Sequence, residues 1–431
     1  MKNILFVDDD LNVRQELEKM LRPMRNDWNM EFVTSGKEAL DLLSKSKFDV
    51  IVSDMYMPEM DGVELLSSVM EQYPEVVRII CSGESDKEKI MGSVKCTHQF
   101  LTKPCDLNTI KYSIERTCKL QDLLRNETLR DLVTGIKDLP SLPSLYGLIV
   151  QEMQSPDASL KKVGYIISQD ISMSAKILQL VNSAYFGLPK KMADPQQAAV
   201  YLGIDTLKTA VLSTHVFSAF TEDAESCGFS LADMWRHSLM TGRLAKEIAR
   251  AESAEKKVQE EALTAGVLHD IGKLILLKIP NQYKKILDFI EKSGCNFVEA
   301  EQAILKTSHA ELGAYLLGLW GIDEKIVETV AFHHNPSNLL EGLLVMLNKP
   351  SDKDKTRLKD SDLNSWSVGK CIEEFTTLTA VHVANSLLIQ KDCSYDTTVF
   401  PYADLLYLRT LNLTDKMPKW AGSCKVMKEM A

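Results

Sequence analysis

Five polar residues near the start of the chain each follow a short apolar run. Asp8 and Asp9 follow the first run, Asp54 a later one, Ser82 the next and Lys103 the last. Adjacent carboxylates repel one another, and a hard cation such as Mg²⁺ with oxygen ligands relieves that repulsion. Phosphoryl transfer needs a nucleophile, a cation and donors for the phosphoryl oxygens. The sequence therefore predicts Asp54 as the nucleophile, with Lys103 and Ser82 as donors.

The elements that must bring these groups together are short strands alternating with helices. The segment Val13–Leu21 has helical period, and it lies among apolar runs at Ile4–Val7, Phe48–Val52, Val76–Cys81 and Phe100–Leu101. Continuous apolar strands are typical of a parallel sheet that is covered on both faces, with its working edge at the carboxyl ends of the strands. The pattern predicts an α/β domain with the polar groups at one edge.

Composition limits the function classes. The 431 residues are 45% hydrophobic and 26% charged, which predicts an ordinary globular protein of two or three domains. The net charge of -10 disfavours a nucleic-acid partner, because such binding usually needs a basic face. The nine cysteines are scattered, and no apolar stretch reaches the length of a leader or a membrane span. We expect a cytoplasmic protein with no membrane partner.

The segments ILFVDDD, DMYMPEMDG, IICSG and FLTKP are similar to the receiver domains of two-component response regulators, over about residues 1–120. The resemblance implies a flavodoxin-like, five-stranded parallel sheet in the order 2-1-3-4-5. It implies that Asp54 is the phosphoacceptor and that a sensor histidine kinase or phosphotransfer protein is the phosphoryl donor. The implied Mg²⁺ ligands are Asp8, Asp9, Asp54 and the backbone carbonyl of Tyr56.

The same resemblance assigns the remaining receiver positions. Ser82 matches the switch hydroxyl, Phe100 the switch aromatic residue and Lys103 the phosphate-binding cation, with a cis peptide bond between Lys103 and Pro104. One segment departs from the family, because Cys96-Thr97-His98 stands where Gly-Ala is usual. The alternative is a flavodoxin-like domain that has lost phosphotransfer, but no marker residue is missing.

Residues 107–131 contain no proline or glycine and predict one long helix that leaves the receiver domain. Its apolar spacing is irregular, so two roles stay open. The helix pairs with a second copy of the chain in a homodimer, or it packs on the next domain.

From residue 132 onward the sequence predicts an all-helical region whose histidines could hold a metal. His269 is followed by Asp270 within the apolar segment GVLHDIGKL. Imidazole with carboxylate suits Fe, Mn, Zn or Ni, and helical bundles build such sites from facing helices. Six of the eight histidines of the chain are in or at the end of predicted helices of this region: His237, His269, His309, His333, His334 and His382. The alternative is a former active site whose buried polar groups now bond to one another.

The segments LPSLP, NSAYFG, HDIGKL, HAELGAYLLGLW and AFHHNP resemble the HD superfamily of metal-dependent phosphohydrolases, and more closely its HDOD branch, over about residues 132–345. The resemblance implies that His237, His269 and Asp270 are metal ligands. We assign the fourth position, an aspartate in the catalytic enzymes, to His382 in a predicted helix Leu378–Leu388.

His309, His333 and His334 resemble the second-metal residues of the cyclic-dinucleotide phosphodiesterase branch, although the Gly-Tyr-Pro signature of that branch is missing. Residues 346–369 predict a charged loop, and residues 370–431 a helical extension of the HD-like domain.

Two outputs remain. The first is a non-catalytic HDOD domain that binds a downstream signalling protein, with a link to cyclic-dinucleotide signalling. The second is a phosphohydrolase that acts on a nucleotide or cyclic di-GMP. DNA binding is disfavoured by the charge.

Overall fold

A computed structural model of the chain divides it into two compact units, Met1–Phe229 with Gly272–Asp323 and Ser230–Ile271 with Glu324–Ala431. The structure describes residues 1–82, 96–103, 107–123, 127–136, 140–141, 149, 152, 159–182, 188, 191–208, 218–219, 229–339, 375–389, 400 and 402–430. The predicted loop at 346–369 and the peptide bond between Lys103 and Pro104 lie outside these residues.

The first unit begins with a parallel sheet of five strands in the order β2-β1-β3-β4-β5, which confirms the predicted topology. Val7 at the end of β1 pairs with Ser53, next to the last residue of β3. The central strands β1 and β3 are buried on both faces and parallel, so the residues that follow them meet at one edge. The strands are β1 Lys2–Val7, β2 Trp28–Val33, β3 Val50–Asp54, β4 Val77–Ser82 and β5 Gln99–Thr102.

Three helices alternate with the first strands: α1 Leu11–Leu21, α2 Gly36–Lys45 and α3 Gly62–Gln72. Each begins at a side chain that accepts hydrogen bonds from the first backbone N–H groups, which are Asp10, Ser35 and Asp61. Asp61 also takes part in a capping box with Glu64. The start of α3, which follows β3, is therefore firmly defined.

The helices that follow the receiver sheet occur in both units. Those of the first unit are α4 Leu107–Leu123, α5 Glu127–Thr134, α6 Leu160–Ile167, α7 Ile171–Val181, α8 Pro195–Lys208, α11 Ile271–Leu276 from its second residue onward, α12 Pro280–Ser293, α13 Phe297–Leu305 and α14 His309–Leu319. Those of the second unit are α9 Leu231–Ala251, α10 Lys256–Leu268, α15 Glu324–Phe332, α16 Thr377–Ile389, α17 Leu405–Thr410 and α18 Met417–Met430. Helix α16 confirms the helix predicted at Leu378–Leu388.

The segment predicted as one helix over 107–131 is described as two helices, α4 and α5, and residues 124–126 between them lie outside the described part of the chain. Both helices pack against α14 within the first unit. Arg116 on α4 donates to the backbone carbonyl of Ile322, just beyond α14. Packing on the helical region is thus observed, and pairing with a second copy stays a prediction.

The region after residue 132 is not purely helical. Pro140–Ser141 pairs in parallel with Ser218–Ala219 as a two-residue ladder. No strand is predicted there from the sequence, because two residues are too few for an alternating pattern to appear.

The core of the second unit is formed by α9, α10 and α16, which pack on one another. Two glycines let α9 and α10 approach at backbone distance. A Cβ on Gly266 would lie 2.5 Å from the Cα of Gly242, closer than real atoms come. This contact brings together the helices that carry the histidine cluster. Within the described residues, no helix is long and apolar enough to cross a bilayer.

Candidate functional site

Three carboxylates meet at the carboxyl ends of β1 and β3. Asp8, Asp9 and Asp54 each offer an oxygen, and these oxygens all lie within 4.8 Å of one another. Asp8 is 3% exposed, so its charge is largely withdrawn from water. A close set of oxygen donors fits a hard divalent cation such as Mg²⁺. The structure therefore brings together the three side chains predicted to hold the metal.

Lys103 bridges two of these carboxylates. Its Nζ lies 2.7 Å from Asp8 Oδ2 and 2.8 Å from Asp54 Oδ1. Burial raises the pKa of Asp54, and the hydrogen bond and charge of Lys103 oppose that rise without cancelling it. Burial lowers the pKa of Lys103, but its contacts with Asp54 and Asp8 outweigh burial, and the net pKa is raised. The ammonium group thus stays charged beside the predicted nucleophile.

The backbone around Asp54 fixes the direction of its carboxylate. The N–H of Met55 donates to Asp54 Oδ1 at 2.8 Å, and the N–H of Gly62 donates to the Met55 carbonyl at 2.9 Å. A Cβ on Gly62 would lie 2.0 Å from the carbonyl oxygen of Asp54. Only glycine therefore lets α3 begin this close to the strand end. Sequence reasoning missed this role, although Asp61-Gly62 directly before a helix was a visible signal.

The remaining receiver positions are placed by their backbone. Ser82 is the last residue of β4 and pairs with Thr102, while Phe100 in β5 pairs with Ile80. The side chains of Ser82 and Phe100 lie outside the described part, so their switch roles stay predictions. Tyr56 lies two residues beyond β3 and is 38% exposed.

The departure at Cys96-Thr97-His98 forms a buried polar junction at the opposite end of the sheet. His98 Nδ1 accepts from the backbone N–H of Arg78 at 3.0 Å, so its proton is on Nε2. That Nε2 lies 2.8 Å from the carbonyl of Thr134 at the end of α5. Burial, and then the charge of Arg78, holds the pKa of His98 well below its usual value. The residue therefore stays neutral.

Arg78 completes this junction with backbone acceptors. Its guanidinium donates to the carbonyls of Cys96 at 2.7 Å, Val76 at 2.9 Å and Thr134 at 3.2 Å. Burial lowers its pKa to about 10, which still leaves it charged near neutral pH. The Thr134 hydroxyl lies 2.9 Å from the Tyr315 hydroxyl on α14. The unusual segment thus joins β4 and β5 to the helical region.

The second candidate site is a histidine cluster in the second unit. His237 lies on α9, and His269 and Asp270 directly follow α10. Asp270 Oδ2 lies 3.5 Å from His269 Nε2 and 3.9 Å from His237 Nε2. One ligand atom from each residue lies within 4.8 Å of the others. The structure therefore brings together the three predicted ligands, whose mixed nitrogen and oxygen donors fit a transition metal.

Backbone hydrogen bonds orient the imidazoles of this cluster. His269 Nδ1 lies 2.7 Å from the carbonyl of Gly266 and His333 Nδ1 lies 2.8 Å from the carbonyl of Val330, so both Nδ1 atoms are donors. The Nε2 of His269 is then the nitrogen that faces Asp270. This is the arrangement in which a second hydrogen bond fixes the tautomer of a metal-binding histidine.

The assignment of His382 as the fourth ligand is wrong. Its Nε2 accepts from the backbone N–H of Asp404 at 2.8 Å, and its Nδ1 donates to the carbonyl of His333 at 2.7 Å. Burial lowers the pKa of His382, which agrees with a neutral ring bonded at both nitrogens. No lone pair is left for a metal, so His382 is a structural residue.

The residue that faces the cluster from α16 is Asn385, which sequence reasoning missed. Its Oδ1 lies 2.9 Å from His237 Nε2. Asn385 is one helical turn beyond His382, so the two occupy neighbouring positions along the same helix. An amide oxygen replaces the negative ligand that the family resemblance implies there, and the cluster carries one carboxylate charge less.

The three further histidines are divided between the two units. His309 belongs to the first unit, where its Nδ1 lies 2.7 Å from Glu301 Oε2 and both side chains are buried. His333 and His334 belong to the second unit, and their ring centroids are 4.0 Å apart. Their predicted role as second-metal ligands stays a prediction.

Comparisons with known proteins agree with this architecture. The family model of the response regulator receiver domain matches residues 4–115, and that of the HDOD domain matches residues 139–336. A response regulator MprA from Mycobacterium sp. (strain KMS) is 33% identical over 197 residues, which cover 45% of this chain and 73% of that relative. The chain belongs to the response regulators and carries an N-terminal receiver domain and an HDOD domain.

Solved structures of the same classes are also similar. A signal receiver domain of an HD domain-containing protein from Pseudomonas fluorescens Pf-5 is 28% identical, with 27% of this chain and 94% of that one covered and a TM-score of 0.26. The MmoQ response regulator from Methylococcus capsulatus str. Bath is 20% identical, with 66% and 94% covered and a TM-score of 0.44.

The chain spans only 24% to 52% of the length of the first curated relatives that it matches. Receiver domains and HD-related domains typically bind divalent metals, and receiver domains commonly interact with sensor histidine kinases.

Proposed function

We propose that this response regulator receives a phosphoryl group on Asp54 and signals through contacts of a non-catalytic HDOD domain. The observation that carries the input half is the cluster of Asp8, Asp9 and Asp54 bridged by Lys103. A nucleophile, a place for a divalent cation and a fixed ammonium group are the parts that phosphoryl transfer needs. The donor is a phosphohistidine of a sensor kinase or of a phosphotransfer protein.

In the transfer step an Asp54 carboxylate oxygen attacks phosphorus, the bond from phosphorus to the donor imidazole breaks, and the imidazole leaves with its electron pair. Mg²⁺ held by Asp8, Asp9, Asp54 and the Tyr56 carbonyl would neutralise phosphoryl oxygen charge when bound. Lys103 stays beside the acyl phosphate and donates to a phosphoryl oxygen, and Met55 N–H keeps the carboxylate directed. Ser82 supplies a further donor.

Phosphorylation of the Asp54→Asn variant tests the input half. With acetyl phosphate and Mg²⁺, the wild-type chain should gain one alkali-labile, hydroxylamine-labile phosphoryl group, and the variant none. Asp41→Asn is the matched control, because Asp41 is 61% exposed on α2 of the same domain and should be phosphorylated like the wild type. Equal labelling of Asp54→Asn and the wild type would disprove the assignment.

The output half rests on the altered histidine cluster. Asn385 supplies a neutral oxygen toward His237, and both nitrogens of His382 are bonded to backbone. A metal bound in this cluster would have one negative ligand fewer than a metal bound in a site whose fourth ligand is an aspartate. Its positive charge would be less neutralised, which disfavours hydrolysis. We infer that phosphorylation changes the affinity of the HDOD domain for a downstream signalling protein, in a cytoplasmic pathway connected with cyclic dinucleotides. A ligand or modification can do this only through its different interaction with two states.

Sedimentation velocity of the chain with and without beryllofluoride and Mg²⁺ tests this half, with Asp54→Asn as the control. A change in sedimentation, or in the amount of protein captured from the native host, should appear for the wild type alone. The same experiment measures the proposed homodimer. Identical behaviour of treated and untreated wild type would contradict a phosphorylation-controlled output.

A second candidate function is metal-dependent phosphodiester hydrolysis. The observation that favours it is the convergence of His237, His269 and Asp270. Metal analysis of the purified chain and turnover of cyclic di-GMP with added Mn²⁺ or Fe²⁺ decide between the two outputs. Metal-dependent turnover that His269→Ala abolishes would replace the binding-module proposal, and an inert protein would support it.

A further inference from the structure

A cavity of about 160 Å³ lies within the first unit, between the receiver sheet and the helices that follow it. Its walls come from β5 and α4 on one side and from the ends of α7 and α14 on the other. None of the predicted site residues lines it. At about 30 Å³ of liquid volume for each water molecule, it could hold a group of about five non-hydrogen atoms.

The charge of the cavity wall differs from that of the chain as a whole. Arg116 and Lys191 line it, and none of the described lining residues carries a carboxylate, although the chain has a net charge of -10. His98 also lines it and is held neutral by burial and by Arg78. The local excess of positive charge therefore favours an anion.

The hydrogen-bonding capacity of the wall is also one-sided. Asn182 Oδ1 accepts from the Met192 N–H at 2.7 Å, and Gln99 Oε1 accepts from Ser113 at 2.5 Å. These acceptors are therefore occupied by the protein. Arg116 uses one N–H for the Ile322 carbonyl and has four more. The Arg116 guanidinium thus leaves N–H donors for a ligand, whereas these two amide oxygens are already bonded.

Gln179 points to a ligand independently of the charge. It is 2% exposed, and its Oε1 accepts from Lys176 Nζ at 3.2 Å, which fixes the orientation of the amide. The opposite atom, Nε2, has no hydrogen-bond partner within the described structure, and Gln179 lines the cavity. A buried N–H₂ group without an acceptor is costly, and a ligand oxygen would relieve that cost.

We propose that this cavity binds a small oxyanion, a carboxylate or a phosphate, between Arg116 and Gln179 Nε2. Trp320 also lines the cavity, with Lys176 Nζ on its ring face at 4.3 Å from the centroid. Because the walls come from both the receiver domain and the helical region, the bound ion would strengthen the contact between them. The proposal is independent of phosphotransfer at Asp54 and of any metal at His269.

Calorimetric titration of the full chain in EDTA, with inorganic phosphate and with succinate as separate probes, tests the site. We expect one site with a Kd on the order of 0.1 to 1 mM for at least one probe. Binding of phosphate alone, of succinate alone or of both identifies which oxyanion chemistry the site accepts. Absence of binding by both probes up to about 10 mM would overturn the proposal.

Gln179→Glu is the most informative variant, because it keeps the side-chain volume and the contact with Lys176 but replaces the donor with a negative oxygen. It should weaken binding about 10-fold or more, as should Arg116→Gln. Lys111→Gln is the matched control, because it removes a cation of α4 that pairs with Glu115 instead of lining the cavity. Unchanged affinity in Gln179→Glu would place any binding elsewhere.

A second readout covers the case that a variant folds poorly. In ¹⁵N-labelled wild-type protein, the side-chain amide signal of Gln179 should shift during the titration, whereas signals of exposed glutamines should not. Binding without a shift of that signal would also overturn the proposal.

Discussion

The receiver edge and the histidine cluster both gather charged groups in a buried place, but they balance that charge differently. At the receiver edge, Lys103 lies within 2.8 Å of two carboxylates, so cation and anions are already paired. In the histidine cluster, the one carboxylate, Asp270, faces the imidazoles of His237 and His269, and Asn385 adds an uncharged oxygen. At the receiver edge, one cation can therefore exchange with another. In the histidine cluster, polar groups are held by contacts with one another.

The two regions also differ in what the backbone does. At the receiver edge, the backbone N–H of Met55 and the ammonium group of Lys103 both donate to Oδ1 of Asp54. In the helical unit, backbone groups occupy both nitrogens of His382 and remove it from the site. Backbone groups therefore orient a side chain toward the candidate site in the first region and withdraw one from it in the second.

Replacement of Lys103 by Met should have the largest effect. It leaves the Asp8 and Asp54 carboxylates without their fixed ammonium group, so the rate of phosphorylation by acetyl phosphate should fall by about 10²- to 10³-fold. The measurement is the initial rate of phosphoryl incorporation with Mg²⁺ in excess. Lys45→Met, at an exposed position on α2, should leave the rate unchanged. A rate within twofold of the wild type would show that Lys103 takes no part in the transfer.

The next effect distinguishes His269 from His382, which are both predicted from the sequence as metal ligands. If a metal binds the cluster, His269→Gln should weaken Mn²⁺ binding by about 100-fold, because it removes a nitrogen ligand. His382→Gln should change the affinity by less than about threefold, but lower the free energy of unfolding by about 1 to 3 kcal/mol through lost buried hydrogen bonds. Equal loss of metal affinity in both variants would restore His382 as a ligand.

A smaller gain is expected from Asn385→Asp. A carboxylate beside His237 would supply the missing negative charge, and Mn²⁺ affinity should rise by about 10- to 100-fold. Isothermal titration of the metal-free chain measures it, with the exposed Asn338→Asp as the control. No gain in affinity would mean that Asn385 does not face the metal position.

The smallest effect concerns Glu328, a partly buried carboxylate of the second unit. Among the described residues, no ammonium group bridges it in the way that Lys103 bridges Asp8 and Asp54. Burial, and then the charge of Glu324, raises the pKa of Glu328 to about 7 from 4.5. The folded chain therefore holds its proton more tightly than the unfolded chain, and stability falls as the pH rises from about 4.5 to 7.

Denaturant unfolding of the Glu328→Gln variant measures this contribution. The variant should be more stable than the wild type by about 1 to 3 kcal/mol at pH 8 and nearly equal at pH 4.5. Glu247→Gln, at an exposed site on α9, should show no such pH dependence. A constant difference between variant and wild type across this range would contradict the raised pKa.

Most of the receiver could be predicted from the sequence because its strands are short apolar runs that end at the polar residues of the site. Arg78 shows where this reasoning stops, since it lies inside the apolar run of β4 and is 1% exposed. Its acceptors are backbone carbonyls, which no sequence pattern displays. His98, twenty residues later, was the only visible signal of that junction.

The histidine cluster could be predicted only in part, for a different physical reason. Helix α16 is buried over almost its whole surface, so its apolar residues have no periodicity that would identify the face turned to His237. His382 and Asn385 therefore could not be ranked from the sequence. In the structure Asn385 is the residue that contacts His237, with its Oδ1 at 2.9 Å from His237 Nε2.

The position of Lys103 has a consequence for dilute solutions and for salt. An ammonium group tethered to β5 acts as a counter-ion whose local concentration is set by the fold and does not fall on dilution. A divalent cation that binds beside Asp8 and Asp54 therefore displaces part of the Lys103 charge, and does not bind to carboxylates that lack a counter-ion. Added monovalent ions compete poorly with a counter-ion that cannot diffuse away. The pairing of Lys103 with Asp8 and Asp54 should therefore be nearly independent of ionic strength.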